Sequence, residues 1–517
     1  MLLARSRTRQ LVGSKTLDPD RRHHIHILDD DSLLNAFHLY RLALVDEDDA
    51  NDDPDPTLQG EGWSHQRWWH ELARVCRRWR HLVIGSASYL RLFRLCTYGT
   101  RVEDVLAYSP PLPLVIDYMG GGNLPMAAGD EEVILFALRH RDRVRRIRLQ
   151  IPFQNLPKVI ATIGDEFPML EYLHIAPPTR RNANLILPET FDAPRLGHLV
   201  LKRFDFPMRS PILTTAVGIV TLTLEFLLPS AHFRSLDFLQ CLSNMSRLEK
   251  LTITLHSSIP DDDIEGQSFR VPIATHIVLH KLRWLGFKGT GACVGTLLPL
   301  IGAPLLEKLE IIFFDGLPSS MPYLLHIASP TENLRFGKAK VRFDEKYLVA
   351  TAYLDNEAKL YTLGIQVVIG HFNSQVASAA QIFDTLRKLF SAVEYLILQH
   401  QRSVVSSRWD GQADQVHWHD LLRSLNSVKT LHVSGGLVRE LSGALRILVE
   451  DGPGGPIVEL LPRLKELSYS SRRDNGDGFA SFVRARRNAG NPITLLRQGV
   501  RLVRERSWIM VHGEAQQ

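Results

Sequence analysis

"LEKLTI", Leu248–Ile253, combines a spaced set of leucines with the two-residue alternation of a β-strand. Related hexamers of the form L-x-x-L-x-[LI] recur along the chain, with starts from 23 residues apart (Leu196 to Ile219) to 54 residues apart (Leu306 to Leu360). They begin at Val144, Leu170, Leu196, Ile219, Leu248, Leu282, Leu306, Leu360, Val393, Val428 and Leu464. This recurrence predicts a repeat architecture with one strand in each unit.

The segments between the hexamers are long enough for a loop and a helix, as in "AAQIFDTLRKLF", Ala379–Phe390. Such units resemble irregular leucine-rich repeats, which implies an α/β solenoid with a curved parallel sheet. The longest gap is expected to hold one degenerate unit near "NLRFGKAKVRF", Asn333–Phe343. A set of unrelated α/β crossovers is the alternative, because the positions where a standard repeat carries Asn or Cys hold residues such as Pro178 and His256.

The third and fifth residues of each hexamer point away from the leucines, because successive side chains of a strand alternate between its two faces. In the predicted solenoid they line one concave surface, rich in bases and aromatic rings, which favours an acidic or phosphorylated protein target. The candidate target-binding residues are Arg146, Arg148, Tyr172, His174, His198, Lys250, Trp284, Lys308, Tyr395 and His432.

Composition restricts the class of partner and the compartment. The 517 residues carry 61 bases and 56 acids, a mild net charge of +5 that does not by itself indicate a nucleic-acid binder. The four cysteines form no C-x-x-C pair, which suits a reducing compartment, so the cytoplasm or nucleus is expected. Because no apolar run reaches about 18 residues, we expect no membrane association.

Two amphipathic segments precede the hexamers. In "HHIHILDDDSLLNAFHLY", His23–Tyr40, Asp30 or Asp31 can cap a helix whose apolar residues are Leu33, Leu34, Phe37 and Tyr40. In "RWWHELARVCRRWRHLVIGS", Arg67–Ser86, one continuous helix is expected, with Gly85 as its end. Its apolar stripe contains Trp68, Leu72, Val75 or Cys76, Trp79 and Val83, and its other side carries Arg74, Arg77, Arg78 and His81.

"ILDDDSLLNAFHLY", Ile27–Tyr40, and "LARVCRRWRHLVIGSASYLRLF", Leu72–Phe93, resemble the F-box motif. Together with "LRLFRLCTYGTRVEDVLAYSPPLPLVIDY", Leu90–Tyr118, they are similar to the F-box-like proteins of mushroom-forming fungi. The resemblance implies that this part docks on Skp1, and that the rest of the chain recruits a target to a cullin-RING ubiquitin ligase. The residues it assigns to Skp1 binding are Leu28, Leu33, Leu34, Phe37, Val75, Cys76, Arg78 and Trp79.

These observations predict five parts of the chain. A basic disordered tail (1–27), for which a mitochondrial transit peptide is the alternative, precedes an F-box-like helical module (28–95). The module contains the acidic loop "DEDDANDDPDP" at 46–56, in which repelling charges and prolines disfavour regular structure. A connecting segment (96–138), the repeats (139–490) and a C-terminal tail (491–517) follow.

No motif of an enzyme or a cofactor site is evident. The sequence has no phosphate-binding G-x-x-x-x-G-K-[ST], no G-x-S-x-G and no H-E-x-x-H, and "GGGN" at Gly120–Asn123 is expected to form a turn. The histidines at 23, 24 and 26 lack ligands that would complete a metal site. His417 and His419, in "VHWHD", form a pair on an expected strand with no third ligand nearby. We therefore expect no metal and no cofactor.

Two functions of different class remain. One is a substrate-recruiting adaptor of a ubiquitin ligase, which acts by proximity and needs no catalytic side chain. The other is a leucine-rich interaction scaffold whose N-terminal helices cap the repeats and have no ligase role. A hydrolase of unrecognised geometry is a third hypothesis with less support.

Overall fold

The computed structural model describes residues 28–45, 68–87, 90, 92–105, 111–119, 126–177, 185–205, 210–226, 235–255, 276–317, 324, 335–354, 362–400, 415–434, 437–450, 460–470 and 479–497. The N-terminal tail, the acidic loop and Gly120–Asn123 lie outside these residues. Within the described part, the chain is a mixed α/β protein with a large, mostly parallel sheet that does not close on itself.

The helices in chain order are α1 Asp30–Val45, α2 Trp68–Val75, α3 Arg77–Gly85, α4 Val102–Val105, α5 Ala128–Arg139, α6 Leu156–Ile163, α7 Pro211–Thr214, α8 Ser235–Asn244, α9 Gly291–Leu297, α10 Phe372–Thr385, α11 Arg387–Phe390, α12 Gln415–Arg423, α13 Leu437–Glu450 and α14 Ala480–Asn488. A short 3-10 helix, Leu298–Leu300, follows α9.

The strands in chain order are β1 Arg94–Cys96, β2 Leu114–Met119, β3 Val144–Gln150, β4 Tyr172–Ile175, β5 Leu185–Ile186, β6 His198–Lys202, β7 Phe204–Asp205, β8 Thr221–Phe226, β9 Lys250–Leu255, β10 Ile277–Val278, β11 Trp284–Gly289, β12 Ile301–Gly302, β13 Lys308–Phe313, β14 Lys338–Phe343, β15 Tyr347–Tyr353, β16 Thr362–Val368, β17 Tyr395–His400, β18 Thr430–Ser434, β19 Glu466–Ser470 and β20 Thr494–Arg497.

The chain divides into two compact units. The helical unit comprises the described residues within Met1–Leu95 and Glu103–Val115. The sheet unit comprises those within Cys96–Val102 and Ile116–Glu505. Each unit has buried apolar side chains of its own, so each is described separately below.

The helical unit packs α1, α2 and α3 around one apolar cluster. Its buried members are Leu33, Phe37, Trp69, Ala73, Val83, Leu90, Leu92 and Leu112. Because Leu33 and Phe37 lie one turn apart on α1, they enter this cluster side by side. The ring of Trp79 meets that of Phe37 edge to face at a centroid distance of 4.8 Å, which joins α3 to α1.

The second amphipathic segment is two helices and not the single helix that its periodicity predicted. Cys76 has extended backbone angles (φ −156°, ψ 171°), and its Sγ accepts a hydrogen bond of 3.4 Å from the backbone N–H of Trp79. Cys76 therefore serves as the N-cap of α3 and ends α2. Because the helix breaks here, Val75 does not lie on the expected buried stripe, and the residue is 60% exposed.

The cap of α1 also differs from the prediction. The residue that caps α1 is Asp29, whose Oδ1 accepts a hydrogen bond of 2.6 Å from the backbone N–H of Ser32. Asp30 and Asp31, which were the predicted caps, are instead the first residues of the helix. In the first turn, their negative charges are still stabilised by the positive N-terminal end of the helix dipole.

The main sheet has sixteen strands in the order β1-β2-β3-β4-β6-β8-β9-β11-β13-β16-β15-β14-β17-β18-β19-β20. Two further pairs, β5 with β7 and β10 with β12, form small parallel sheets beside it. Every recurring hexamer overlaps a strand of the main sheet. An extended backbone places the alternating apolar residues of the hexamer on one side, where they can be buried together. The prediction of an α/β chain with a largely parallel sheet is confirmed.

A ladder of leucines runs through the buried side of the sheet. The fourth residues of the hexamers pair directly across adjacent strands, and each has no exposed surface from β4 to β13. These residues are Leu173, Leu199, Leu222, Leu251, Leu285 and Leu309. The ladder fixes the register, because a slip of one residue would move every leucine to the other side of the sheet.

The sheet departs from a uniform parallel array in the 54-residue gap. The single degenerate unit expected there is in fact two strands, β14 and β15, and β16 completes an antiparallel set. The spatial order is β13-β16-β15-β14-β17. After β13 the chain skips two strand positions to form β14, and then fills those positions in reverse with β15 and β16. It crosses both positions again to form β17. The helix that makes the last passage, α10, contacts both β14 and β15.

Three further features lie elsewhere than predicted. The sheet continues past residue 490, because β20 pairs in parallel with β19. The segment 96–138 contains β2 and α5 and is therefore more than a connection. "VHWHD" lies in the helix α12, where Trp418 and Leu421 supply a helical and not a strand period of buried residues.

Candidate binding surfaces

The sheet unit presents a row of half-exposed side chains opposite the leucine ladder. Burial alternates along the strands, so that in β9, for example, Lys250 and Thr252 are half-buried and Leu251 and Ile253 are fully buried. We refer to the side that carries the third and fifth residues of each hexamer, and the residue directly after the hexamer, as the open face. In strand pairs of known register, these positions form continuous rows from strand to strand.

The structure brings most of the predicted target-binding residues together on the open face. Nine of the ten are half-buried, and His174 is buried with 7% of its surface exposed. One row contains Arg146, Tyr172, His198, Lys250, Trp284 and Lys308, with Thr221 between His198 and Lys250. Arg148 and His174 pair in the next row, and Tyr395 and His432 lie beyond the antiparallel strands.

Trp284 is the centre of a cationic group on this face. It pairs in register with Lys250 on one neighbouring strand and with Lys308 on the other. The two Nζ atoms lie 3.7 Å and 4.0 Å from the centre of the indole ring. Because the ring quadrupole attracts both ammonium groups, the indole holds two positive charges at fixed positions on either side of it.

At the β3 end of the open face, a carboxylate lies close to one of the arginines. Arg148 Nη1 lies 3.8 Å from Oδ2 of Asp117. Burial raises the pKa of Asp117, and the guanidinium of Arg148 acts in the opposite direction. Burial lowers the pKa of His198, and the positive charge of Arg146 lowers it further. His198 is therefore held toward its neutral form, so the cationic side chains of this end are the arginines.

His432 is occupied within the sheet. Its Nδ1 lies 2.9 Å from Oγ of Ser468, the residue paired with it on the neighbouring strand. This contact orients the imidazole and leaves fewer of its polar atoms for a partner. His432 is thus a weaker candidate for direct target binding than the group around Trp284.

The sequence interpretation missed a second basic group on β14. Lys338, Lys340 and Arg342 alternate with the buried residues Ala339, Val341 and Phe343. The three bases therefore share the open face with Tyr395, which pairs with Lys338. The signal was present as the two-residue period of "KAKVRF", which the interpretation assigned to a degenerate repeat and did not resolve into faces.

The residues that the F-box resemblance assigns to Skp1 binding occupy different depths of the helical unit. Leu33 (2% exposed) and Phe37 (3% exposed) belong to the core and are not on the surface. Leu28 and Val75 are exposed. The half-buried members of the set are Leu34, Cys76, Arg78 and Trp79.

The exposed apolar surface of the helical unit extends beyond that set. Leu39 and Tyr40, near the C-terminal end of α1, are also exposed. Tyr40 was expected to face the core, and Leu39 lies outside the stripe of Leu33, Leu34 and Phe37. Among its described residues, the helical unit thus fills a core of its own and leaves Leu28, Leu39, Tyr40 and Val75 exposed.

The described residues include no group of three or more His, Cys, Asp or Glu side chains that could hold a metal ion. A ring nitrogen of His419 lies 3.0 Å from the carbonyl oxygen of Ala444, so that histidine links α12 to α13. Within the same part of the chain, no helix combines the length and the apolar character needed to cross a bilayer. A comparison with protein-family models and a comparison with curated proteins each found no match.

Proposed function

We propose that this chain is a substrate-recruiting adaptor of an SCF-type cullin-RING ubiquitin ligase. In this role the helical unit docks on Skp1, and the open face of the sheet unit captures a target protein. The adaptor brings the target within reach of a ubiquitin-charged enzyme that its partners supply, so it contributes effective concentration and no catalytic group.

The observation that carries the proposal is the exposure of Val75 beside an intact helical core. Val75 belongs to the V-C-R-x-W stretch on which the F-box resemblance rests, Val75–Trp79. Its neighbours in that stretch stabilise the unit, since Cys76 caps α3 and Trp79 packs on Phe37. Val75 itself is left to the surface, where an apolar side chain of a partner helix could cover it.

The composition of the open face supports the target-binding half of the proposal. Arg146, Lys250 and Lys308 project from a rigid sheet whose register is fixed by the leucines beneath them. Aromatic and basic side chains held in this way bind carboxylate or phosphate groups with little loss of side-chain entropy. An acidic or phosphorylated protein segment is the target class that this surface fits.

The Skp1 half is tested with Val75→Asp and a matched control, Val217→Asp. Val217 is also an exposed valine but belongs to the sheet unit. In a binding assay with purified Skp1, we expect Val75→Asp to weaken binding about tenfold or more, because apolar anchors carry most of the affinity of such interfaces. Val217→Asp should bind like the wild type, and both variants should keep the wild-type unfolding midpoint.

A wild-type chain that is folded and does not bind Skp1 at about 50 μM, an affinity weaker than about −6 kcal/mol, would exclude the adaptor role and leave the scaffold alternative. Equal losses for both variants would show that Val75 is not part of the interface. The choice of Val75 avoids the core residues Leu33 and Phe37, whose substitution would unfold the helical unit and remove binding indirectly.

The target half is tested with the double variant Arg146→Glu and Lys308→Glu. These residues lie in the same row of the open face, on β3 and β13. We expect the proteins that co-purify with the wild-type chain, other than Skp1 and the cullin, to be depleted from the variant, because two attractive charges become repulsive. An unchanged set of co-purifying proteins would remove this row from target binding.

A further inference from the structure

Three histidines lie on the described part of the open face, and His198 is the one best placed to meet a ligand. His174 is buried, with 7% of its surface exposed. His432 is half-buried, and its Nδ1 lies 2.9 Å from Oγ of Ser468. His198 is half-buried, and among the described residues its buried Nδ1 has no hydrogen-bond partner. Because Nδ1 is buried, Nε2 is the ring nitrogen of His198 that remains for a ligand.

Two arginines lie close to His198 on the same face. Arg146 and Arg148 are two positions apart on β3, which separates their Cα atoms by about 7 Å. Arg146 pairs with Tyr172, and Tyr172 pairs with His198, so one residue separates Arg146 from His198 in their row. The centres of the Tyr172 and His198 rings are 5.9 Å apart. A group that lies over Tyr172 can therefore meet side chains of both β3 and β6.

The arginines keep hydrogen-bonding capacity for a ligand. Nη1 of Arg148 lies 3.8 Å from Oδ2 of Asp117, which is longer than a hydrogen bond. Nε of Arg148 is buried and has no hydrogen-bond partner in the described part of the chain. Glu171, the acidic residue beside Tyr172, lies 2.8 Å from the guanidinium of Arg145. A guanidinium group has five N–H donors, so an oxyanion can be bound by those that remain.

The charges around His198 act in opposite directions. Burial has the largest effect and lowers the pKa of His198, and the positive charge of Arg146 on β3 lowers it further. Glu171, which precedes β4, and Glu249, which precedes β9, favour the charged imidazole. An anion bound beside His198 would counter the charge of Arg146 and so favour the imidazolium as well. The other ionisable open-face residues of β4, β6, β8 and β9 are Tyr172, His174, Lys202, Glu225 and Lys250.

We propose that Arg146, Arg148 and His198 form a binding site for one oxyanion of the target protein, a carboxylate or a phosphate, and that His198 takes up a proton from solvent as the oxyanion binds. The two arginines supply the fixed positive charges, and Nε2 of His198 donates a hydrogen bond to the same group. The inference rests on the proposed role of the open face in target capture. It adds that this capture depends on pH.

The direction of the pH dependence follows from linkage. A bound oxyanion favours the charged imidazole, so the complex holds more protons than the free chain in the range where His198 titrates. Affinity therefore rises as the pH falls through this range, as long as the ligand keeps its own charge. A carboxylate keeps its charge between about pH 8 and about pH 6, because its usual pKa is about 4. A phosphate monoester loses part of its charge there, since its second pKa is about 6.

The test uses three fluorescent nine-residue serine peptides that differ only at the centre. One carries two adjacent Glu, one carries a single phosphoserine and one carries two Gln. At about pH 8 the first two have nearly the same negative charge. Binding to the full-length chain is followed by fluorescence anisotropy at about 0.1 M salt. Whichever of the charged peptides binds more tightly at that pH identifies the oxyanion, and binding of both no tighter than the Gln peptide would rule out the site.

The proton uptake is tested with the Glu peptide, whose charge is constant. We expect it to bind about threefold or more tightly at about pH 6 than at about pH 8, because protonated His198 joins the site. An affinity that does not change with pH would overturn the proposal.

The assignment to His198 is tested with His198→Gln. Its affinity for the Glu peptide should no longer depend on pH, because glutamine does not titrate. The matched control is His280→Gln, since His280 is exposed, belongs to the same unit and lies outside the strands. The control should keep the wild-type pH dependence. A dependence that survives in His198→Gln, or that is lost in the control, would assign the proton to another group.

The unsubstituted chain provides a second measurement, which decides the matter if His198→Gln lowers the unfolding midpoint. An NMR titration of the His198 imidazole with and without the Glu peptide compares its pKa in the complex and in the free chain. We expect the peptide to raise this pKa, because the bound carboxylates favour the imidazolium. The same pKa in both states would contradict proton uptake at His198.

The contribution of the arginines is tested with Arg146→Gln at about pH 8, where His198 of the free chain is mostly neutral. We expect binding of the Glu peptide to weaken about tenfold, because charge-assisted hydrogen bonds are lost. The matched control is Lys202→Gln, which removes the same charge about 14 Å from His198 along β6 and should weaken binding less than about threefold. Equal losses would mean that only the net charge of the face matters and would overturn the proposal.

Two further measurements separate this inference from its alternatives. An oligodeoxythymidine that binds the wild type more tightly than both charged peptides would identify a nucleic-acid surface and overturn the proposal. If the wild type fails to bind Skp1 but the peptide results hold, the ligase role fails and the oxyanion site stands. If the chain binds Skp1 without pH-dependent binding of the Glu peptide, the ligase role stands and the oxyanion site fails.

Discussion

Arg78 binds Asp30 through two of its nitrogen atoms, with Nε and Nη2 at 3.0 Å and 2.7 Å from the same carboxylate oxygen. The Nη2 group also donates a hydrogen bond of 2.6 Å to the carbonyl oxygen of Leu28. One side chain of α3 thus holds the first turn of α1 and the residue before its cap. The F-box resemblance assigns Arg78 to Skp1 binding, but these contacts give it a role inside the helical unit as well.

We therefore expect Arg78→Gln to loosen the start of α1. The side chains of this ion pair are partly exposed, so the loss of unfolding free energy should be no more than about 1 kcal/mol. Hydrogen exchange should show faster exchange of the first amides of α1 and little change in α2. An unaffected α1 would show that its start is held by the apolar contacts of Leu33 alone.

The cap of α1 predicts a pH dependence. The backbone N–H of Ser32 lowers the pKa of the Asp29 carboxyl below its usual 3.8, chiefly because it donates a hydrogen bond to the ionised form. A carboxyl with a lowered folded-state pKa stabilises the fold above its unfolded value, and this contribution is lost as the pH falls through the folded value.

We expect α1 to lose protection as the pH falls below the unfolded-state pKa and through the lowered folded-state pKa of Asp29, as the carboxyl becomes protonated. In Asp29→Ser the hydroxyl keeps an acceptor for the cap but does not titrate. Its α1 should therefore show a smaller change over the same range, measured by hydrogen exchange at each pH. The same pH dependence in both proteins would assign the effect to other carboxyl groups.

The leucine ladder predicts a sharp contrast between the two sides of one strand. Leu251 is fully buried between Leu222 and Leu285, whereas Thr252, the next residue, is half-buried on the open face. Leu251→Ala should lower the free energy of unfolding by about 2 to 5 kcal/mol, because it removes buried methyl groups and leaves a cavity. Thr252→Ala should cost less than about 1 kcal/mol in the same denaturant titration. Similar costs for the two variants would contradict the assignment of the faces.

The pKa of His198 reports on the charges around it on the open face. The pKa of His198 lies below 6.5, first because of burial and then because of the charge of Arg146. A base whose folded-state pKa is lowered destabilises the fold as the pH falls below its unfolded value, since the unfolded chain binds the proton more readily. Arg146→Gln should raise the pKa of His198 while Glu171 and Glu249, which favour the charged form, remain. An NMR titration of the imidazole measures the shift, and an unchanged pKa would place Arg146 too far away to act.

The strands could be predicted from the sequence because the apolar positions of each hexamer show which side of the strand is buried. Apolar residues at the fourth and sixth positions can be buried together only if the backbone is extended, so strand and face follow from the same residues. The same logic identified Lys250, Trp284 and Lys308 as neighbours on one face. Their pairing across adjacent strands depended only on the register, which the leucines determine.

The order of the strands could not be predicted in the same way. "KAKVRF" and "YLVATAY", Tyr347–Tyr353, both alternate as strands should, but alternation does not reveal which edge a strand joins. That choice depends on pairings across the chain between β14, β15 and β16. Similarly, the break at Cys76 depends on one backbone conformation, and the periodicity of Arg67–Ser86 continues across it without a visible signal.

The strand order around β14 has a consequence for how the chain is made. While the ribosome has completed residues only as far as Phe343, both strands that will flank β14 are still unsynthesised, because they are β15 and β17. The edge of β13 is likewise open until β16 emerges. Exposed strand edges pair readily with other chains, so the interval in which residues 344–400 are added, up to the end of β17, is when the nascent protein is most prone to aggregation. Chaperone demand during translation should peak there, after the leucine ladder of the preceding strands is already complete.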